Sequence, residues 1–188
     1  MRYELKWRDY NEKGYLSLMI ESLISGVIAG IIASAIFMFI MYAIRPKINI
    51  SDNLTFEEVG NDTIIQVKIT NMTRRMINNV RYGLYYCTIS DDGINDIEEI
   101  PAKKSMLNNI SAYNRGDEDA EYAIRISFVA NDFLFPLDSD DKLLFVISAN
   151  HSLSNTLICK KKEYHKDDIM VNGIFESGAS LKAIKKEH

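Results

Sequence analysis

Proline is scarce in this chain, at three residues of 188, and glycine is limited to nine. Collagen-like repeats and Pro-rich extended architecture are therefore excluded. Only two cysteines occur, Cys87 and Cys159, with no Cys-x-x-Cys pair and no Cys/His cluster. A structural zinc site has no ligand set here. The histidines are His151, His165 and His188. His151-Ser152 and His165 before Asp167-Asp168 are neighbours in sequence, whereas a catalytic triad has to be assembled in space. The motifs GxSxG, HExxH and GxxxxGK(S/T) are missing. No catalytic residue, no metal ligand and no cofactor is expected. Charge is missing altogether from residues 23–44. One such run excludes both a purely soluble protein and a transporter or channel with several spans.

What is present is ordinary for a folded protein: 47% apolar and 26% charged residues, with apolar runs continuing almost to the C-terminus. The charge is divided unevenly. Residues 1–50 hold six Lys/Arg and four Asp/Glu, whereas the rest hold sixteen and twenty-two, a net −6. Phosphate repulsion opposes nucleic-acid binding by so acidic a part, and nucleic acid is not expected as a partner. A local basic patch for a small anionic ligand remains compatible with it.

The 22 residues from Leu23 to Ile44 would form a helix of about 33 Å, enough to cross a hydrocarbon core of about 30 Å. Backbone groups in lipid must bond to one another, so a helix is required. Glu21 bounds the run on one side and Arg45-Pro46-Lys47 on the other, where Pro46 ends the helix. A cleaved signal peptide would have a shorter apolar core followed by small residues, but this run ends in Phe-Met-Phe-Ile-Met-Tyr. The expectation is an uncleaved, single-pass anchor in the plasma (inner) membrane. Gly26, Gly30 and Ser34 recur every fourth residue, with Ala29 and Ala33 in a parallel row. Such a face lets helix backbones approach closely, which implies a homo-oligomer packed through it. Basic residues do not decide the topology. Arg2, Lys6, Arg8 and Lys13 outnumber Arg45 and Lys47, but the latter pair lies closer to the span. Residues 1–22 read as a juxtamembrane tail, either solvated or a short interfacial helix with Tyr3, Trp7 and Tyr10 on one face.

Residues 45–188 read as one all-β domain, a β-sandwich or small barrel of about seven or eight strands. Strands are expected at 47–50, 63–69, 80–89, 121–129, 142–149 and 155–164, with weaker ones at 97–107 and 174–184. The segment 80–89 is rich in aromatic and β-branched residues on both faces, as a central strand would be, and 142–149, apolar on both faces, is expected to be the most buried. Turn residues separate them: Gly60-Asn-Asp62, Asp91-Asp-Gly93, Asn114-Arg-Gly-Asp117, Asp138-Ser-Asp-Asp141 and Asn172-Gly173. Cys87 and Cys159 could form one inter-sheet disulfide outside the cytoplasm, or remain two buried thiols. Acidic clusters at Asp91-Asp92, Asp117–Asp119 and Asp138–Asp141 match no EF-hand spacing and read as solvated turns. Arg74, Arg75, Lys160 and Lys162 form a possible anion site for a phosphate or lipid headgroup. The competing reading of Lys160-Lys161-Lys162 is an edge strand protected by its charges.

The single span, then Arg45-Pro-Lys-Ile-Asn-Ile-Ser51, then an alternating strand ending in Lys68-Ile-Thr-Asn71, resembles a loose group of small uncharacterised bacterial membrane proteins. These join one helix to an immunoglobulin-like β-sandwich. The plan, covering residues 23–90, is also similar to that of membrane effectors of bacterial antiphage defence. In those effectors a β-rich domain senses a signal and membrane helices oligomerise, commonly with two or more spans where this chain has one. Three functions follow as expectations. One is a membrane-anchored sensing or binding module for a protein or small anionic ligand. Another is a membrane-perturbing defence effector. The last is an exported envelope or adhesion module that would need the Cys87–Cys159 bond.

Overall fold

The computed structural model describes residues 2–60, 62–89, 95–117, 119–131, 137 and 141–186, without the side chains of 2–14, Ile89 and Asn95. The chain divides into two compact units, Met1–Ile44 and Arg45–His188. Helix α1 occupies Arg2–Ala43 without a break and includes the backbone before the charge-free run. Its stretch Tyr15–Ala43 is long and apolar enough to cross a membrane by length and composition. Leu16, Ile24, Ile28, Phe37 and Phe39 are all more than half exposed along it. Exposed to water, each such side chain forgoes about 1.5–3 kcal/mol of burial.

The second unit consists of twelve short strands, more than the seven or eight expected, because four of them have only three residues. The first sheet holds β1 (Ile48–Ile50), β2 (Leu54–Val59), β3 (Asp62–Asn71), β7 (Ala123–Val129) and β10 (Ile169–Val171). Strand β3 is its centre. It pairs with β1 and β2 on one side and β7 on the other, while β10 runs parallel to β2. The second sheet holds β4 (Ile77–Ile89), β5 (Asn95–Ile100), β6 (Met106–Ile110), β8 (Lys142–His151) and β9 (Leu157–Tyr164). Strand β4 is its central strand, with β8 along one side and β5 and β6 end to end along the other. Strands β11 (Gly173–Phe175) and β12 (Ala183–Lys185) make a separate hairpin.

The two sheets enclose one core and do not close into a barrel, which removes the barrel alternative. Ile65, Val67, Ile69, Ile126 and Phe128 of the first sheet share that core with Leu84, Leu143, Phe145, Ile147 and Tyr164 of the second. Phe128 is the clearest bridge. Its ring meets Phe145 edge-on at 6.2 Å and Tyr82 at 6.1 Å, the geometry favoured by aromatic quadrupoles. The polar interior is satisfied as well. Tyr164 Oη donates to the Ser51 carbonyl at 2.8 Å, and burial raises its phenol above the ordinary range. Asn71, wholly buried, donates to the carbonyls of Arg75 at 2.9 Å and Ser111 at 2.8 Å, tying two loops to the end of β3.

Several expectations change. The 97–107 candidate is two strands, separated at Pro101, whose carbonyl accepts Val129 N–H at 2.8 Å and so reaches across to the other sheet. The 174–184 candidate is the β11–β12 hairpin, entered through Asn172 in the left-handed conformation. Strand β8 is not buried on both faces: Leu143, Phe145 and Ile147 are buried while Leu144 and Val146 are half-buried. Strand β4 begins at Ile77, ahead of a register shift at Asn79, whose φ of 52° suits asparagine. The turns at Asp91–Gly93 and Asp138–Asp140 lie outside the described residues.

Candidate functional site

Facing away from the core, β3 presents Ile64, Gln66, Lys68 and Thr70, the alternate set to Ile65, Val67 and Ile69. A single exposed sheet face would leave these side chains in water. Instead the C-terminal hairpin lies over this sheet, with Phe175 and Ala183 buried and Lys186 paired to Glu57 of β2 at 2.6 Å. The backbone holds it there too: Asn172 N–H donates to the Phe56 carbonyl at 2.7 Å. Between the hairpin and the sheet is a cleft of about 420 Å³ whose lining includes Lys68, Asp119, Arg125, Phe175, Glu176 and Gly178.

Lys68 lines this cleft. It is only 4% exposed, and its Nζ donates to the Glu176 carbonyl at 2.6 Å. Arg125 of β7 stands directly opposite it in the β3–β7 register, on the same sheet face. Burial lowers the Lys68 pKa, Arg125 lowers it further, and the Glu176 carboxylate partly opposes both. A buried ammonium facing a guanidinium across a strand pair is doubly unfavourable, through desolvation and like-charge repulsion. An anionic group between them would relieve both costs. The volume suits a small molecule. On the cleft wall, Glu176 is steadied by Ser180 Oγ–H at 2.6 Å.

The sequence-predicted residues lie elsewhere. Gly26, Ala29, Gly30, Ala33 and Ser34 are exposed on α1, and a Cβ built at Gly26 or Gly30 would meet nothing within 4 Å. Ser34 Oγ–H bonds back to the Gly30 carbonyl at 2.8 Å. Lys160 Nζ donates to the Ile48 carbonyl at 2.6 Å, and Lys162 pairs with Asp52 at 2.8 Å. Both therefore have protein partners on β9, which is an edge strand of its sheet. Arg74 and Arg75 are exposed in the bend before β4, and among the described residues neither guanidinium forms an ion pair. Lys68 and Arg125, which the structure brings together in the cleft, are not among the residues the sequence singled out. The available signal was two cations at outward positions of neighbouring strands.

Cys87 is buried and Cys159 exposed, both as free thiols. They lie on strands flanking β8, opposite Lys142 and Ser148 respectively. Six residues along a strand is about 20 Å, so the bond that an exported module would need is out of reach. His151 is buried. Its Nδ1 is 3.1 Å from Ser154 Oγ and 3.3 Å from Ser154 N, organising the β8–β9 turn. Asp117 likewise serves its own loop, accepting Glu121 N–H at 2.9 Å and Asp119 N–H at 3.2 Å. Among the described residues no group of three His, Cys, Asp or Glu is gathered as for a metal ion. No protein-family model matches the chain, and no curated protein is similar to it.

Replacing Lys68 by Met keeps the stem and removes the buried charge. The variant is expected within about 1 kcal/mol of the parent at neutral pH, or above it. The lowered Lys68 pKa fixes the sign of the pH effect. The unfolded chain holds the proton more tightly, so the penalty is full below the folded pKa and is relieved as pH rises towards 10.5. Denaturant midpoints of parent and Lys68→Met across alkaline pH should shift steadily in the parent's favour. A difference independent of pH would contradict this assignment.

Proposed function

We propose that this chain is a single-pass anchor of the plasma membrane carrying a β-sandwich that binds or senses a small anionic ligand. The observation that carries this reading is the buried Lys68 ammonium opposite Arg125 on the floor of a cleft. The ligand is a carboxylate or phosphate compound whose charged group lies between the two cations. Asp119 and Glu176 at the rim favour a ligand with donor groups beside its anionic one.

The helix contributes attachment and assembly. Gly26, Gly30 and Ser34 supply the face through which copies associate, and ligand occupancy in the head is read out through that association. Support for this part comes from the four-residue spacing of the small residues.

Inorganic phosphate is the simplest probe of the cleft. Added to the full chain in mild detergent, it should raise the melting temperature of the β unit beyond the effect of chloride at equal ionic strength. Lys68→Met and Arg125→Gln should each abolish the excess. Equal responses to phosphate and chloride would overturn the anion-site reading. Independently, Gly30→Leu should shift the detergent-solubilised chain to a smaller species by size exclusion, and an unchanged size would remove the association claim.

A further inference from the structure

Two loops at one end of the sandwich combine exposed apolar side chains with exposed cations. Residues 72–76 (Met-Thr-Arg-Arg-Met) join β3 to β4, and residues 152–156 join β8 to β9. Ser152 N–H donates to the Met76 carbonyl at 3.2 Å, which holds the loops together. Met72 is 38% exposed, Met76 40% and Leu153 74%. Arg74 and Arg75 are exposed beside them.

The same end holds the point where the chain arrives from the helix. Lys47 N–H donates to Thr73 Oγ1 at 2.7 Å, and Met72 N–H donates to the Lys47 carbonyl at 2.7 Å. Lys47 is four residues past Ala43, the last helical residue, and four residues reach at most about 14 Å.

Charge sorts the same way. The segments 63–90 and 142–162 contain no Asp or Glu, although residues 51–188 are net acidic. Nearby acids belong to the loop before β7, which approaches through Tyr113 N–H donating to the Thr73 carbonyl at 2.8 Å; there Asp117 accepts Glu121 N–H, Glu121 accepts Ser111 Oγ–H at 3.2 Å, and Asp119 lines the cleft over the β3–β7 sheet. Exposed methionine and leucine flanked by arginine match the layering of an anionic bilayer surface, with apolar groups below the headgroups and cations among them.

We infer that Met72, Met76 and Leu153, with Arg74 and Arg75, form a docking surface that seats the sandwich on anionic lipid. This rests on the anchor reading above, and the test separates the two. The full chain, with Trp7→Phe as background, is reconstituted in nanodiscs of brominated phosphatidylcholine mixed with phosphatidylglycerol. One tryptophan is then introduced per variant. Leu153→Trp should be blue-shifted and quenched by the bromines. Ile97→Trp, 64% exposed on β5, should emit like indole in water. Phe37→Trp, within the span, should be quenched throughout. Adding Arg74→Glu and Arg75→Glu should release Leu153→Trp from quenching and leave Phe37→Trp quenched. If Phe37→Trp is quenched but Leu153→Trp is not, or if Leu153→Trp and Ile97→Trp are quenched alike, docking is overturned and the anchor stands. An unquenched Phe37→Trp overturns both.

Discussion

Burial of one ammonium group is the constraint around which the candidate site is organised. Lys68 lies on the central strand of its sheet, where the core side is filled by Ile65, Val67 and Ile69. Its other side would be open to water but for the C-terminal hairpin. Once that hairpin closes over the sheet, the lysine has a backbone carbonyl as acceptor and an arginine as its cross-strand neighbour. A fold selected for stability alone would place an apolar or neutral residue there. Retaining a cation at this position makes sense when an anion completes the arrangement. The cleft, the hairpin and the charge pair then form one device.

The remaining architecture positions that device. Phe128 links the sheets from β7, the same strand that carries Arg125. Alternation along one strand thus joins the core to the cleft: even-numbered residues hold the sandwich together and Arg125 faces the opposite way. Ser51 connects β1 to the same region, its N–H donating to the Lys68 carbonyl at 2.8 Å and its Oγ accepting Lys68 N–H at 3.2 Å. These two hydrogen bonds fix the Lys68 backbone.

Much of this was legible in the amino-acid order. The charge-free run, the central role of residues 80–89 and the inward set Ile124, Ile126 and Phe128 all follow from periodicity and emerge in the fold. Strand β2 was missed although Leu54 and Phe56 alternate with Thr55 and Glu57 and lead into the Gly60 turn; the adjacent Glu57-Glu58 masked the pattern. Strand β10 has three residues, too few for any periodicity to register. The cleft was illegible for a different reason. Lys68 reads as an ordinary solvent-facing residue until residues more than a hundred positions later fold over it, and no local pattern encodes that cover. Lys160 and Lys162 illustrate the opposite limit: two apart in sequence and suggestive of a patch, they already have protein partners in the Ile48 carbonyl and Asp52.

The most direct test of the account is the protonation of Lys68 itself, followed by NMR of the full chain in nanodiscs with lysine labelled at Cε and the signal assigned by loss in Lys68→Met. Without added anion the titration midpoint should lie below that of the exposed lysines, and saturating phosphate should move it upward. A Lys68 that titrates with the exposed lysines, or one whose midpoint ignores phosphate, would contradict the claim that this buried cation waits for an anionic ligand.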